Sequence, residues 1–597
     1  MDRRAFLYKA GFFVVATAAV PLAQDATAGT EPDDEDSSGG PGRYLFPQGV
    51  VSGDPKSDSV VFWTRCLRRS GDPAAVRVRL QVALDVAFEQ VVANVRLAAD
   101  PTWDHTVRAK VKGLPAGRSL YYRFKAGGDE SPIGRTRTAP APSAAPQSVK
   151  FAWFNCQDWS VNHWGAMSLL AAEDLDFVVH VGDYIYETVG ASFQAGAAEP
   201  AHRPISFPNG TTRPDGASYA TTLADYRTLY RTYRGDARLQ AVHARFPFIA
   251  TWDDHEFSDD CWQDHETYTN ANLEQLARRR AANQAWVEYM PVDFGDVSFD
   301  PAKPGYDNLR IYRDFRFGNL VHLVMTDERL YRDDHVVPES VIAQAQGHDP
   351  INGSDSIGAR YFVQQPVLTQ FEALRTAQLG RPPSILGATQ STWWKQTMKS
   401  SAATWKVWGN ELMLSRLWLD LRNAAPPPFN ALYVVNADAW DGFPAHKAEL
   451  LGYLRSEGIS NVVAITGDLH GFQCGVVRDQ PIGGQPVLVD FLAAGVSSVS
   501  FYNYVKAGAA GTPLAPLTSS PQLFDAVLRA NNPDFAYVDH NAQGYASAVV
   551  TPTHMVVTFN KVRSLNPDGT APLDPLLKRT RFTLVAGTTT PLVEDNV

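Results

Sequence analysis

Four stretches of this chain end an apolar run in side chains that bind metal ions. Residues 149–155 lead into Cys156. Residues 175–181 (LDFVVHV) lead into Gly182 and Asp183, with Tyr186 three positions on. Residues 246–252 lead into Asp253, Asp254, His255 and Glu256, and 461–466 lead into Gly467 and Asp468, with His470 two further on. Thiolate, phenolate, imidazole and carboxylate all ligate metals, the softer donors favouring transition ions and the oxygens favouring hard cations. Each residue also has an everyday explanation. Cys156 alone fits a small buried apolar residue, Asp183 a turn after glycine, Tyr186 a core tyrosine, and Asp253, Asp254 or Asp468 a helix cap. Turn chemistry does not explain why four separate strands all end this way.

A carboxylate just past the C-terminal end of a buried strand lies at the edge where open α/β sheets bind ligands. The elements around these residues suit that placement. From residue 149 onward, strand-length apolar runs at 149–155, 175–181, 246–252, 319–325, 405–408 and 461–466 alternate with helical patterns at 163–174, 219–234 and 445–457. Such alternation predicts an α/β domain with its polar clusters along one sheet edge. Segments 340–375 and 500–530 show no clear period and read as surface insertions. Upstream, strands at 59–64, 76–83 and 119–125 are separated by Gly, Asp and Pro turns, which predicts a small β-sandwich over 43–140. Residues 140–146 (PAPSAAP) read as a linker.

The chain has 597 residues and a net charge of -10, so it is long enough for two or more domains, and no basic surface for nucleic acid is expected. A phosphate substrate stays open, because metal ions supply positive charge locally. At the N-terminus, 2–7 (DRRAFL) precede an apolar run at 10–22 and a small-residue site at 26–28 (ATA). This pattern predicts a cleaved Tat-type signal over 1–28, with export through the Tat machinery to the cell surface, periplasm or medium. An acidic, Ser/Gly-rich leader follows at 29–42. Four widely spaced cysteines (Cys66, Cys156, Cys261, Cys474) do not make a disulfide framework, and buried free thiols are expected.

Several strings resemble the alkaline phosphatase D (PhoD-like) family of calcineurin-like metallophosphoesterases. They are 46–55 (FPQGVVSGDP), 62–65 (FWTR), 155–157 (NCQ), 182–187 (GDYIYE), 252–256 (WDDHE), 405–406 with 409–410 (WK and GN), and 467–470 (GDLH). The resemblance implies a four-layer α/β/β/α sandwich over 148–597, preceded by a fibronectin type III-like domain over 43–140. It also implies Fe(III) held by Cys156, Asp183, Tyr186 and His470. One or two divalent ions, calcium first and manganese or magnesium otherwise, would share Asp183 and take Asp254 and Asp468. His255 would contact phosphate or aid the leaving group, and Arg329, after another strand, would grip phosphate oxygens or form a surface salt bridge. Asn410 is a weaker polar contact. Asp259 and Asp260 stand where many members carry asparagine, which leaves the divalent ions open.

The activity implied is hydrolysis of small phosphate esters by a metal-held hydroxide, with no covalent serine intermediate, in a monomeric enzyme. Phospholipase D action on phospholipid headgroups and a non-catalytic surface binding protein are the alternatives. A serine hydrolase lacks its Gly-x-Ser-x-Gly elbow here.

Overall fold

The computed structural model describes residues 13–15, 41–190, 197–213, 216–267, 272–338, 345 and 362–597. The predicted signal and leader lie outside them, apart from residues 41–42 and Phe13–Val15, a short strand beside Thr106–Lys112. Among the described residues, no helix is long and apolar enough to cross a membrane.

The Asp129 carboxylate accepts the backbone N–H groups of Gly42, Arg43 and Tyr44. Two antiparallel sheets follow. One contains β1 (Val50–Gly53), β2 (Ser59–Arg65) and β5 (Thr106–Lys112); the other contains β3 (Val76–Ala83), β4 (Val91–Ala99) and β6 (Ser119–Ala126). In β3 every second residue is apolar, and Val76, Val78, Leu80 and Val82 turn inward against Phe62, Val95 and Phe124. The first sheet does not stop there. Gly53 pairs with Phe248, so β1 lies parallel to β9 (Phe248–Thr251) and joins an eleven-stranded sheet. A Cβ at Gly53 would fall 2.3 Å from the Pro291 carbonyl oxygen, so this approach requires glycine.

The centre of the large sheet is parallel: β7 (Val149–Phe154), β8 (Phe177–Val181) and β9. A seven-stranded sheet holds a second parallel set: β10 (Val321–Met325), β11 (Trp405–Gly409), β12 (Val462–Thr466) and β13 (Pro486–Leu492). Both sets are buried on two faces and therefore read as continuous apolar runs. Phe177, Val179 and Ile249 face Phe317, Leu323, Val407 and Ile465 between the sheets. The rings of Phe177 and Phe317 stack at 4.0 Å. The alternate residues Ala152, Phe154, Val178 and Phe248 pack on helices Gly165–Ala172, Leu223–Tyr233, Ala237–Arg245 and Leu276–Tyr289. On the far side Val324, Trp408 and Ala464 meet helices Gly387–Ser400 and Pro444–Ser456. Helices thus pack on both sheets.

Segment 500–530 is not a surface insertion. It forms helices Phe501–Ala509 and Pro521–Asn531, and Phe501, Val505, Phe524 and Leu528 lie in the core beside the second sheet. Their i, i+4 spacing is a helical face, obscured by the prolines between the helices. Of 340–375, the part from Gln365 is helical through Leu379 and buries Leu368. Residues 340–344 and 346–361 of that expectation fall outside those described. All four cysteines are buried free thiols.

Just past β1, Asp54 and Arg313 form a bidentate pair across the two regions (3.0 and 2.8 Å), and the Asp293 backbone N–H adds 2.8 Å to the same carboxylate. Both side chains are essentially fully buried. Burial outweighs the guanidinium and raises the Asp54 carboxyl above its ordinary range. The pair therefore fixes register more than it adds stability. Asp54→Ala should lower stability by about 3–5 kcal/mol by stranding a buried guanidinium, whereas Asp54→Leu with Arg313→Met should recover most of it, as read by thermal melts of the three proteins.

Candidate metal centre

Four of the six predicted ligands sit in the left-handed backbone region: Cys156 (φ 49°), Asp183 (57°), Asp468 (69°) and His470 (59°). For residues with a Cβ that conformation costs about 1 kcal/mol or more, and it persists where surrounding contacts impose it. Here it turns each side chain sharply at the end of a parallel strand, inward along the shared edge. Gly182 (φ 109°) permits the closest approach, since a Cβ there would lie 2.4 Å from Cβ of Asp253.

The ligand atoms of Cys156, Asp183 and His470 lie within 4.8 Å of one another. Tyr186 joins them: its hydroxyl is 3.0 Å from Asp183 Oδ2, 3.2 Å from His470 Nε2 and 2.7 Å from Ser498 Oγ. His470 Nδ1 donates to the Val499 carbonyl at 2.8 Å, which leaves the Nε2 lone pair pointing at the group. Three more groups adjoin, each equally tight: Asp183, Asp254 and His255; Asp253, Asp254 and Asp468; Asp254, Asp259 and Asp260. Asp183 belongs both to the group with Cys156 and His470 and to the group with Asp254 and His255, so one carboxylate links the thiol side to the carboxylate side. Asn436 Nδ2 donates to Asp468 at 3.0 Å and orients it.

The electrostatics are those of a pocket short of positive charge. Burial, then the carboxylates of Asp183, Asp468 and Asp253, push the Cys156 thiol well above its ordinary range. Burial and Asp183 do the same to Tyr186, and burial with neighbouring aspartates raises Asp183 and Asp468. Burial holds His470 down, at about 4, so it is neutral and available as a donor. His255 goes the other way: burial opposes its charge, but Asp254, Glu187 and Asp183 outweigh burial and raise it well above the usual histidine range. Asp253 Oδ2 is buried without a partner. Soft and hard anionic donors gathered around uncompensated charge fit a pair of cations, one on the thiolate–phenolate–imidazole side and one among the carboxylates.

The other predicted residues fall as follows. His255 lies in the pocket, with its ring 4.1 Å from that of Tyr186. Arg329 is fully buried rather than on the surface; Nε meets Asp253 at 2.5 Å and Nη1 meets Asp438 at 2.7 Å. Asn410 is spent on structure, accepting from Trp440 Nε1 at 2.9 Å and donating to the Leu412 carbonyl. Asn436 and Asp438 escaped the sequence reading, although Leu432–Val435 is one more apolar run ended by polar residues.

Glu256, at the end of the Asp-Asp-His-Glu run, holds the loops in place. Its carboxylate accepts the backbone N–H groups of Asp183 (3.1 Å), Tyr184 (2.6 Å) and Asp253 (2.8 Å). Burial raises it to about 7 despite these three donors. Glu256→Gln offers one acceptor oxygen and turns an NH₂ toward the remaining N–H. It should lower stability by about 1–3 kcal/mol, seen as a drop in Tm, while Glu256→Asp should show the same sign through lost reach.

Comparison with known proteins places the chain. The "PhoD-like phosphatase" family model matches residues 151–559, and "PhoD-like phosphatase, N-terminal domain" matches residues 33–140. The chain is 32% identical over 481 residues to alkaline phosphatase D of Bacillus subtilis (strain 168), covering 79% of this chain and 71% of that protein. It superposes on a solved structure described as "Structure of PhoD" with a TM-score of 0.70 and 26% identity, covering 95% of this chain and 93% of the other. This chain belongs to the PhoD-like phosphatase family.

Proposed function

We propose that this protein is an exported, metal-dependent phosphate-ester hydrolase. The observation that carries the reading is the convergence of Cys156, Asp183, Tyr186 and His470 on one side, and of Asp254 and Asp468 on the other, with Asp183 between. Fe(III) suits the first set, because thiolate and phenolate are strong anionic donors. Calcium, or else manganese or magnesium, suits the carboxylates. Bound there, such a pair supplies Lewis acidity that activates water near neutral pH and offsets charge on the phosphoryl group.

The chain's own residues do the rest. Val499 and Ser498 aim His470 and Tyr186. Arg329 holds Asp253 and Asp438 and so sets the shape of the carboxylate side, which makes it a positioning group rather than a phosphate grip. His255 is the cationic side chain best placed to give a proton to the departing alcohol. In the same reading the helix–sheet–sheet–helix layering is the metallophosphoesterase sandwich, and the N-terminal β-unit is fibronectin type III-like. Arg3 and Arg4 with the run at 10–22 direct Tat export of a folded, metal-loaded monomer.

Purified without chelator, the protein should contain iron and a divalent ion and show a visible charge-transfer band. Cys156→Ser should remove the iron and the band, and Asp183→Ala should lower kcat/KM at least about 100-fold. Full activity in a colourless, iron-free protein would sink the metal assignment. Because burial and the neighbouring carboxylate of Asp183 favour the protonated Cys156 thiol and Tyr186 phenol, metal uptake should release protons and tighten as pH rises, measurable by calorimetry in buffers of different ionisation enthalpy. An aryl phosphate, an aryl diester and phosphatidylcholine distinguish the substrates. Headgroup release from the lipid alone would replace this reading with a phospholipase D.

A further inference from the structure

We infer that Glu187 is a positioning residue for His255 and sets how well the enzyme hydrolyses esters with poor leaving groups. The inference rests on the phosphate-ester reading and on His255 as the proton donor. Glu187 is fully buried, and its Oε2 lies 2.6 Å from His255 Nδ1. Its other oxygen is engaged at 3.1 Å by the Asp259 backbone N–H and at 3.1 Å by Thr188 Oγ1, so the carboxylate is fixed at both ends. The imidazole is fixed too. Its backbone N–H bonds Asp254 at 2.9 Å and Asp183 at 3.3 Å, and the Tyr186 ring covers it at 4.1 Å.

A carboxylate accepts, so Nδ1 carries a hydrogen and donates it to Glu187, and Nε2 alone addresses the pocket. Nε2 lies 3.7 Å from Asp259 Oδ1, and the ring shares the group formed by Asp183 and Asp254. This is the arrangement in which an acidic partner selects tautomer and orientation without touching the reacting atoms.

The step it serves balances as follows. A water oxygen bonds to phosphorus and loses a proton to solvent. The P–O bond to the alcohol breaks with its electron pair on the alcohol oxygen, which takes the Nε2 proton. His255, neutral with Nδ1–H on Glu187, is recharged from solvent. An aryl oxide leaves without this proton, whereas an alkoxide does not.

The test compares kcat and KM for an aryl and an alkyl phosphodiester in the metal-loaded wild type, Glu187→Gln, His255→Asn and the double variant. The expected result for Glu187→Gln is a kcat loss of about 10–100-fold on the alkyl ester, less than about 3-fold on the aryl ester, and little change in KM. The double variant should be no slower on the alkyl ester than His255→Asn. Should Glu187→Gln fail to fold, Glu187→Asp, which keeps the charge and retracts it, must show the same selective loss in smaller measure. Equal losses on both esters, or losses that add in the double variant, overturn the inference. If His255→Asn is leaving-group selective and neither Glu187 variant is, Glu187 alone is wrongly assigned. If His255→Asn is itself unselective, the proton-donor role falls with it. If the wild type hydrolyses neither ester, the phosphate-ester reading fails first.

Discussion

The whole centre depends on holding like charges together at the end of parallel strands. Four aspartates, Asp183, Asp253, Asp254 and Asp438, are buried within one small region, and a fifth, the half-buried Asp468, adjoins them. Left to electrostatics alone, the loops carrying them would part. Backbone donors prevent this. Glu256 gathers three N–H groups from the Asp183 and Asp253 turns, and the Asp260 N–H bonds Asp254 at 2.5 Å. Arg329 reaches between Asp253 and Asp438, and Arg332 and His335 meet Asp438 at 3.0 and 2.5 Å. Removing any one of these leaves a buried charge or N–H without a partner, which is the expensive kind of loss.

That scaffold also explains the strain. Four ligand residues in the left-handed region and a glycine with no room for a Cβ are local costs that the packed sheets must offset. The sheets are suited to it. Their parallel strands are buried on both faces, and aromatic stacking such as Phe177 on Phe317 locks the two layers against sliding. The packed sheets therefore present a strained and electrostatically unsatisfied edge, and the cations proposed to bind there would relieve both the charge and the raised thiol and phenol.

The residues that cluster at this edge were legible in the sequence because they follow apolar runs, and a run followed by Gly-Asp or Asp-Asp-His is a local signal. Their supports were not. Glu187 meets His255 across 68 positions and Arg329 meets Asp438 across 109, and neither pairing leaves a periodic trace. The same limit applies to the fold. Strands such as Val76–Ala83 and Ser119–Ala126 follow from alternation alone. The junction of the N-terminal sheet with the large one rests on a single pair, Gly53 with Phe248, which no pattern announces. The C-terminal strands Gln543–Val550 and His554–Val562, which extend the large sheet, pair residue for residue, but local alternation does not say which sheet they join.

The burial of Arg329 changes where phosphate recognition must come from. Two of its three nitrogens are committed to Asp253 and Asp438, and its burial removes the guanidinium from any entering anion. The chain as a whole is acidic, so long-range attraction does not draw phosphate in either. What remains on the protein side is His255, held toward the pocket by Glu187. In the proposed reading, the rest of the positive charge is brought by cations held among the carboxylates. Affinity for an anionic substrate and affinity for metal are then one property of this edge, and a change that weakens either weakens both.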